Sequence, residues 1–447
     1  MSAEFVVLGA GAAGLTAAYE LNRAGHDVVV IDRSAECGGT HRSTNIGGYT
    51  FDAGSIFFEQ AHPFFAMFPG VKELCTTTFR RQARIAPDGQ IRHYPFEPKE
   101  VLSWSRLRQM QAVLDLARDR TIIRSPQDAE AFCRSRIGKT AYETSGLKHY
   151  IARFHQEDPA QIDVLFCQRR MRFVAQEVRP RALARVALRL VARTREKPKP
   201  PRPLFVRPRD GFDKFYGAVR SQLEAKGVRF LMECDIDHIA REQGRFHVST
   251  AAGTVSAHHV VGAIPLDTMH EMLFGTGLGL ESIDLVTLFV SVSEITGFEG
   301  NVLFNFHPLG RWKRITCYSR IYGVEQGRHY FAVEITQRKH EAKDAAAAFD
   351  DFRRHVAQFG IFGHDLTLEG YEIVEDAYPL YRKGCGPTVE QGIERLMDFG
   401  ITPVGRQGRF AYLPISALVI SQTRDQLGAA GPSPLAEETE VGNRVGH

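Results

Sequence analysis

The sequence predicts an α/β fold with a mixed α+β domain inserted into it. Three observations at the start of the chain predict the α/β part. The apolar run Phe5-Val6-Val7-Leu8 reads as a buried strand and leads directly into Gly9-Ala10-Gly11-Ala12-Ala13-Gly14. A helical pattern then continues through Ala24 and stops at Gly25. A second strand pattern at 27–31 ends on the acid Asp32. Strand, glycine turn, helix, strand and acid, in that order, make the Rossmann-like dinucleotide fingerprint. Gly9 permits the tight turn. Gly11 lets a pyrophosphate approach the backbone, and Gly14 lets the helix lie close to the strand. The start of the helix, at Ala13, offers free N–H groups and a positive dipole end to phosphates. Asp32 is placed to accept hydrogen bonds from a ribose. A glycine-rich turn without a ligand leaves Asp32 unexplained.

The remaining elements follow in order. Residues 61–204 read as mainly helical, with a hairpin at Ala86-Pro87-Asp88-Gly89. The run Lys197-Pro198-Lys199-Pro200-Pro201-Arg202-Pro203 reads as an extended connector. A helix is predicted over 212–225, followed by short strands at 228–237, 244–250 and 258–264. Residues 266–370 mix strands with a helix near 341–358. Residues 404–422 read as strand, turn and helix. The stretch 428–447, rich in Gly, Pro, Ala and Glu, reads as a disordered tail. Strands at 5–8, 27–31, 228–232, 258–264 and 401–404 are expected to share one sheet. The nucleotide domain is then discontinuous (1–60, 205–265 and 371–427). Residues 61–204 form a helical cap and 266–370 a β-rich part of the inserted domain.

Composition narrows the class. The 447 residues are 43% hydrophobic and 24% charged, enough for large cores in a globular protein. No run of about eighteen apolar residues marks a membrane span. The N-terminus enters a strand at once and leaves no room for a signal peptide, so a cytoplasmic location is expected. The seven cysteines lack CxxC spacing, which argues against a zinc site or a disulfide framework. The net charge of +4 is unevenly spread. Residues 169–209 hold twelve Arg and two Lys against two Glu, so this segment is +12 and the rest −8. Within it, Arg181, Arg185, Arg189 and Arg193 recur every four residues, and 179–195 reads as an amphipathic helix. Its plain reading is a solvated face. Its sharper reading is a lid, or a dock for phosphates, acidic lipid or a lipid-linked sugar. No nucleic-acid motif accompanies the charge, so no nucleic-acid partner is expected.

Past Asp32 the chain reads Cys37-Gly38-Gly39-Thr40-His41-Arg42-Ser43 and then Phe51-Asp52-Ala53-Gly54. These motifs resemble the FAD-binding superfamily of amine oxidases, protoporphyrinogen oxidase and UDP-galactopyranose mutase, with its glutathione-reductase-type FAD domain. Further similar stretches follow in the expected order. They are Tyr94-Pro95-Phe96, Arg207-Pro208-Arg209-Asp210-Gly211-Phe212, Val260 to Pro265, Ala377-Tyr378-Pro379 and Gly405-Arg406-Gln407-Gly408 through Tyr412. The resemblance covers residues 4–425. It implies FAD as cofactor, held by Gly9, Gly11, Ala13, Gly14, Asp32, Arg33, Gly39, Thr40, Arg42, Gly54, Ser55, Gly405, Arg406 and Tyr412. A second glycine module at Gly405 favours FAD over NAD, since a plain dehydrogenase has no need of it.

The resemblance also suggests a substrate region. Asn305-Phe306-His307-Pro308 with Arg314-Ile315-Thr316 is similar to a mutase stretch whose arginine holds a diphosphate. Arg169, Arg170 and Tyr378 lie in comparable stretches. A guanidinium suits a diphosphate because its planar fork donates two parallel charge-assisted bonds. The plain readings are a surface strand residue for Arg314, solvated charges for Arg169 and Arg170, and a core tyrosine for Tyr378. Two departures weigh against the mutase mechanism. The run Gly54-Ser55-Ile56-Phe57-Phe58 lacks a histidine, and Ser416 stands where an acid is usual. His41, His93 and His307 lie near motifs, yet none is assigned as a base. Three functions stay open. The first is an FAD-dependent oxidoreductase for a small anionic substrate, such as a nucleotide sugar or sugar phosphate of a biosynthetic route. The second is a non-redox flavin-dependent sugar mutase. The third is a non-catalytic flavin-binding protein.

Overall fold

The computed structural model describes residues 1–170 and 202–428. The arginine stripe at 181–193, most of the proline-rich connector and the tail from 429 lie outside the described residues.

The chain begins with β1 (Ser2–Leu8), α1 (Ala12–Arg23) and β2 (Val28–Ile31). A small hairpin follows, β3 (Ser43–Ile46) and β4 (Tyr49–Asp52), then β5 (Phe57–Phe58) and α2 (Pro63–Met67). Next come β6 (Thr76–Thr78), β7 (Gln82–Ile85) and β8 (Ile91–His93). The helical stretch comprises α3 (Arg106–Ile122), α4 (Ala129–Ile137), α5 (Lys139–Thr144), α6 (Leu147–His155) and α7 (Val164–Arg170). After the undescribed stretch run β9 (Leu204–Val206), α8 (Phe212–Glu224), β10 (Arg229–Leu231), β11 (Ile236–Glu242), β12 (Arg245–Thr250), β13 (Gly253–Gly262) and α9 (Leu266–Phe274). The chain continues through β14 (Ser282–Val292), β15 (Val302–Asn305), β16 (Arg314–Cys317), α10 (Ser319–Tyr322), β17 (His329–Arg338), α11 (Ala345–Ala357) and β18 (Thr367–Pro379). It closes with α12 (Gly386–Phe399), β19 (Ile401–Pro403), α13 (Gly405–Gly408) and α14 (Ser416–Gln426).

The first sheet has the order β10-β2-β1-β13-β12-β11, with β19 on β13. The strands named from the sequence at 5–8, 27–31, 228–232, 258–264 and 401–404 do share it, and their pairings are parallel. β1 lies between β2 and β13, and Val6, Val7 and Leu8 are fully buried. A strand covered on both faces needs this continuous apolar run rather than alternation. β11 and β12 add an antiparallel edge.

The second sheet has the order β18-β14-β17-β16-β15-β7-β8. Alternate residues of β14, namely Val286, Leu288, Val290 and Val292, enter a core shared with Phe352 and Val356 of α11. That is the period-two logic of a sheet with one helix-covered face. Two expectations need correction here. The hairpin in the stretch read as mainly helical is an edge of this sheet, because β7 pairs with β15. β18 runs unbroken across the boundary set at 370/371, since it is hydrogen-bonded to β14 along its length. A third, three-stranded sheet (β5-β9-β6) escapes sequence reading because its strands are only two or three residues long. No helix among the described residues is long and apolar enough to cross a membrane.

Candidate functional site

The C-terminal ends of β1, β2 and β13 open into a cavity of about 2380 Å³. A single small-molecule site holds roughly 300–1,000 Å³, so this cavity has room for a dinucleotide and a second molecule. Its position outside the carboxyl ends of parallel strands is where open α/β sheets place ligands.

The glycine turn forms one wall. Gly9 follows β1 at φ +99°, in the region that favours glycine. Gly11 caps α1, with no side chain on the free N–H groups and no acid in the first turn. Gly11, Ala12 and Ala13 line the cavity, so the orphan N–H groups of the helix start are available there. A Cβ on Gly39 would stand 3.2 Å from the Cα of Gly11. The two glycines therefore let two backbone segments meet beneath the cavity. Gly14 and Gly405 do not line it. Both are packing glycines: a Cβ on Gly14 would press on the Gly9 carbonyl, and one on Gly405 on the Ala13 side chain.

Asp32 is held from two sides. Ala10 N–H donates to Oδ2 at 2.6 Å and Ser34 N–H to Oδ1 at 2.8 Å. Each oxygen keeps capacity for another donor, and Asp32 and Arg33 both line the cavity. Thr40, Arg42, Gly54 and Ser55 line it further along. Arg42 Nε is buried without a hydrogen bond and lies 3.4 Å from Glu372 Oε1. A glycine cradle and free helix N–H groups beside the held Asp32 carboxylate together fit an anionic dinucleotide.

Beyond the cradle stands a cationic and aromatic region. Tyr378 and Tyr412 stack at 5.7 Å with an interplanar angle of 26°. The Arg406 guanidinium lies 5.3 Å and 5.5 Å from their ring centres and donates to Ala377 O at 2.7 Å. Arg169 donates to the Tyr381 hydroxyl at 3.0 Å and to Phe410 O at 3.4 Å. Arg409 donates to Pro403 O at 3.4 Å, and burial and Arg169 lower its pKa. All of these arginines line the cavity. The side chain of Arg170 lies outside the described residues.

Arg314 also lines the cavity, but its charge is matched. It donates to Glu334 from Nε at 3.0 Å and again from its terminal nitrogen. Glu334 also receives Lys313 Nζ at 3.1 Å. Lys313 donates in turn to the Tyr378 hydroxyl at 3.0 Å. Burial pushes the Lys313 ammonium down to about 8. Lys313, Glu334, Tyr381 and Arg409 are the site residues that sequence reading missed. Lys313 stands next to a residue that was found, yet its partner Glu334 joins it only through the β16–β17 pairing, which sets Arg314 against Glu334.

The histidines divide. His41 lines the cavity, but its Nδ1 is 2.6 Å from the Tyr216 hydroxyl and its ring stacks on Phe212. Burial pushes it down to about 4, so it is a neutral packed ring at neutral pH. His93 sits on the lining, exposed and 3.6 Å from Glu97. His307 is not on the lining and pairs with His355 at 3.0 Å. Ser416 lines the cavity and sits 2.9 Å from His62 Nε2. A histidine thus does approach this wall, from the N-terminus of α2 rather than from the Gly54 run.

Comparisons with known proteins agree with this geometry. The chain matches the model of the flavin containing amine oxidoreductase family over residues 12–289. It is similar across 96% of its length to reduced UDP-galactopyranose mutase, covering 96% of that chain at 18% identity and a TM-score of 0.76. It resembles cyclohexylamine oxidase from Brevibacterium oxydans IH-35A over 98% of its length and 99% of that chain, at 13% identity and a TM-score of 0.62. Among curated sequences it is 29% identical over 109 residues to a 4,4'-diapophytoene desaturase of Methylomonas sp.. That match takes in 24% of this chain and only 20% of the desaturase. The fingerprint, the cavity it opens on and a family match over more than half of the sequence lead to one conclusion: the chain belongs to the flavin containing amine oxidoreductase family, and its cofactor is FAD.

Proposed function

We propose that this chain is an FAD-dependent oxidoreductase acting on a small anionic substrate, with a nucleotide sugar or sugar phosphate as the leading class. The observation that carries the proposal is the set Arg169, Arg406 and Arg409. Their hydrogen bonds go to backbone carbonyls and a tyrosine hydroxyl rather than to carboxylates. Positive charge left unmatched on a cavity wall favours an anionic guest.

The proposed division of labour follows the two regions. Gly9, Gly11, Ala13, Asp32, Arg33, Gly39, Thr40, Arg42, Gly54 and Ser55 would hold FAD along the glycine wall, with Gly14 and Gly405 keeping that wall closely packed. FAD, when bound, supplies the acceptor at N5 for a substrate hydride, and molecular oxygen or another acceptor removes the electrons later. Arg169 and Arg409 would bind the anionic end of the substrate, with Arg314 held in place beside them by Glu334, and the Tyr378 hydroxyl would add a donor. Arg406 keeps Tyr378 and Tyr412 stacked as one wall. Leu285, which packs in one cluster with Tyr378, and Phe304 add apolar lining to the cavity and would help keep water from the reacting carbon.

A non-redox sugar mutase is the second reading. It is favoured by Arg314 and Tyr378 standing on the same cavity. Anaerobic mixing separates the two. An oxidoreductase bleaches its oxidised flavin when the substrate is added, and Arg169→Ala raises KM about tenfold or more. A mutase turns over only after chemical reduction of the flavin, with no net redox change. If no anionic compound does either, the proposal fails.

A further inference from the structure

Helix α3 buries little of its apolar surface. Its inward side carries Ala112 and Asp119, both buried. Asp119 pairs with Arg134 of α4 at 3.2 Å. Asp115 accepts from Thr140 N–H at 3.1 Å and from its hydroxyl at 2.6 Å. The outward side carries Leu107, Met110, Val113 and Leu114, and Ile122 is exposed in the last turn, off that side and next to Asp115. These five are exposed by between 55% (Met110) and 67% (Ile122). At 3.6 residues per turn, Leu107, Met110, Val113 and Leu114 fall within a sector of about 120°. Leu102, in the 3₁₀ turn just before the helix, is exposed as well. Six of the thirteen exposed large apolar side chains among the described residues thus lie between 102 and 122. Scattered apolar residues on a surface need no explanation, but a contiguous patch on a helix held inward by polar contacts does.

Charge decides what covers the patch. Every exposed charged side chain between 102 and 124 is an arginine. Arg106 lies within the apolar sector at the helix start, Arg118 borders it, and both acids of α3 are turned inward. A second copy laid against this face would bring arginine rows together, which is repulsive. An anionic lipid surface is complementary on both counts. Its acyl boundary accepts the leucines and methionine, and its headgroups accept the guanidinium groups. We propose that α3 docks this protein on a membrane surface that contains anionic lipid. In sequence, α3 is separate from the arginine stripe expected at 179–195, which lies outside the described residues.

The test uses the full chain carrying FAD. Its binding is measured by co-sedimentation with phosphatidylcholine vesicles, with and without phosphatidylglycerol. Wild type is compared with Leu107→Gln/Met110→Gln/Leu114→Gln and with Arg106→Gln/Arg118→Gln. All five side chains are exposed, so the flavin spectrum and Tm report that folding is intact. The expected result is binding to the anionic vesicles. The apolar triple variant should bind them about tenfold or more weakly, and the arginine pair about fivefold more weakly per residue. A triple variant that binds like wild type overturns the proposal, as does a wild type that ignores anionic vesicles. A wild-type dimer that the triple variant splits into monomers, with no vesicle binding, assigns the face to a second copy and overturns it too.

Discussion

Replacing Gly14 by alanine tests how tightly α1 must sit on the turn after β1. The new Cβ would stand 2.9 Å from the carbonyl carbon of Gly9 and closer still to its oxygen. Carbon pairs are comfortable at roughly 3.5–4.0 Å, so α1 must retreat by about 0.6 Å from the carbon alone. Backbone on the other side cannot rotate away. Overpacking of this kind costs about 1–3 kcal/mol, and the upper figure applies here. Alanine returns about 1 kcal/mol of helix propensity, which leaves a net cost of about 2 kcal/mol. In the free protein α1 relieves the strain by moving back. Binding of FAD requires its N–H groups to return to the phosphates, so the packing cost of about 3 kcal/mol, which the propensity gain common to both states does not offset, reappears as lost affinity, roughly a hundredfold. The assay is FAD dissociation followed by flavin fluorescence, with Tm measured alongside. Gly217→Ala is the control. It sits in α8 with nothing within 4 Å of the new Cβ, and should leave affinity unchanged and Tm equal or higher. If Gly14→Ala binds FAD as tightly as Gly217→Ala does, the proposed role of the α1 terminus is wrong.

Other predictions address the supports of the site. Arg207 and Asp52 form a fully buried pair, with Nε 2.9 Å from the carboxylate and further bonds to Pro208 O and Thr50 O. Arg207→Ala strands the buried carboxylate and should cost about 3–5 kcal/mol, read by urea denaturation. His62 is pushed down to about 3 and His41 to about 4 by burial. Both are neutral in the folded state while the unfolded chain binds their protons below about 6.5. Stability is therefore complete above that pH and falls as pH drops toward 4, and His62→Gln should flatten the fall in a pH series of melts. Lys313 loses its proton as pH rises through about 8 and with it the full charge behind its bond to Tyr378. The pH profile of kcat/KM should bend near 8, and Lys313→Met should remove that bend.

What the sequence disclosed and what it concealed separate by range. The unit from β1 to Asp32 spans thirty-one residues, and each step leaves a local mark: an apolar run, a glycine, a helical period, an acid. Arg314 and Tyr378 were found through short motifs of the same kind. Lys313 and Glu334 left no such mark, because their contact exists only once two strands pair. Arg409 needed the short helix α13 to bring it beside Arg169. The packing role of Gly405 was hidden because its neighbour, Ala13, lies almost four hundred positions earlier. The apolar residues of α3 have an ordinary helical spacing, and nothing in that spacing says they face outward. The contacts of Asp115 and Asp119 with α5 and α4 decide the orientation, and they are tertiary.

The central claim is that the cavity behind the glycine turn holds FAD. The visible absorption spectrum of the purified protein, with identification of any cofactor released by heat, tests it most directly. The account predicts flavin absorption bands and FAD in the released fraction, in near-equal amount to protein. A colourless protein that also fails to take up added FAD would contradict it.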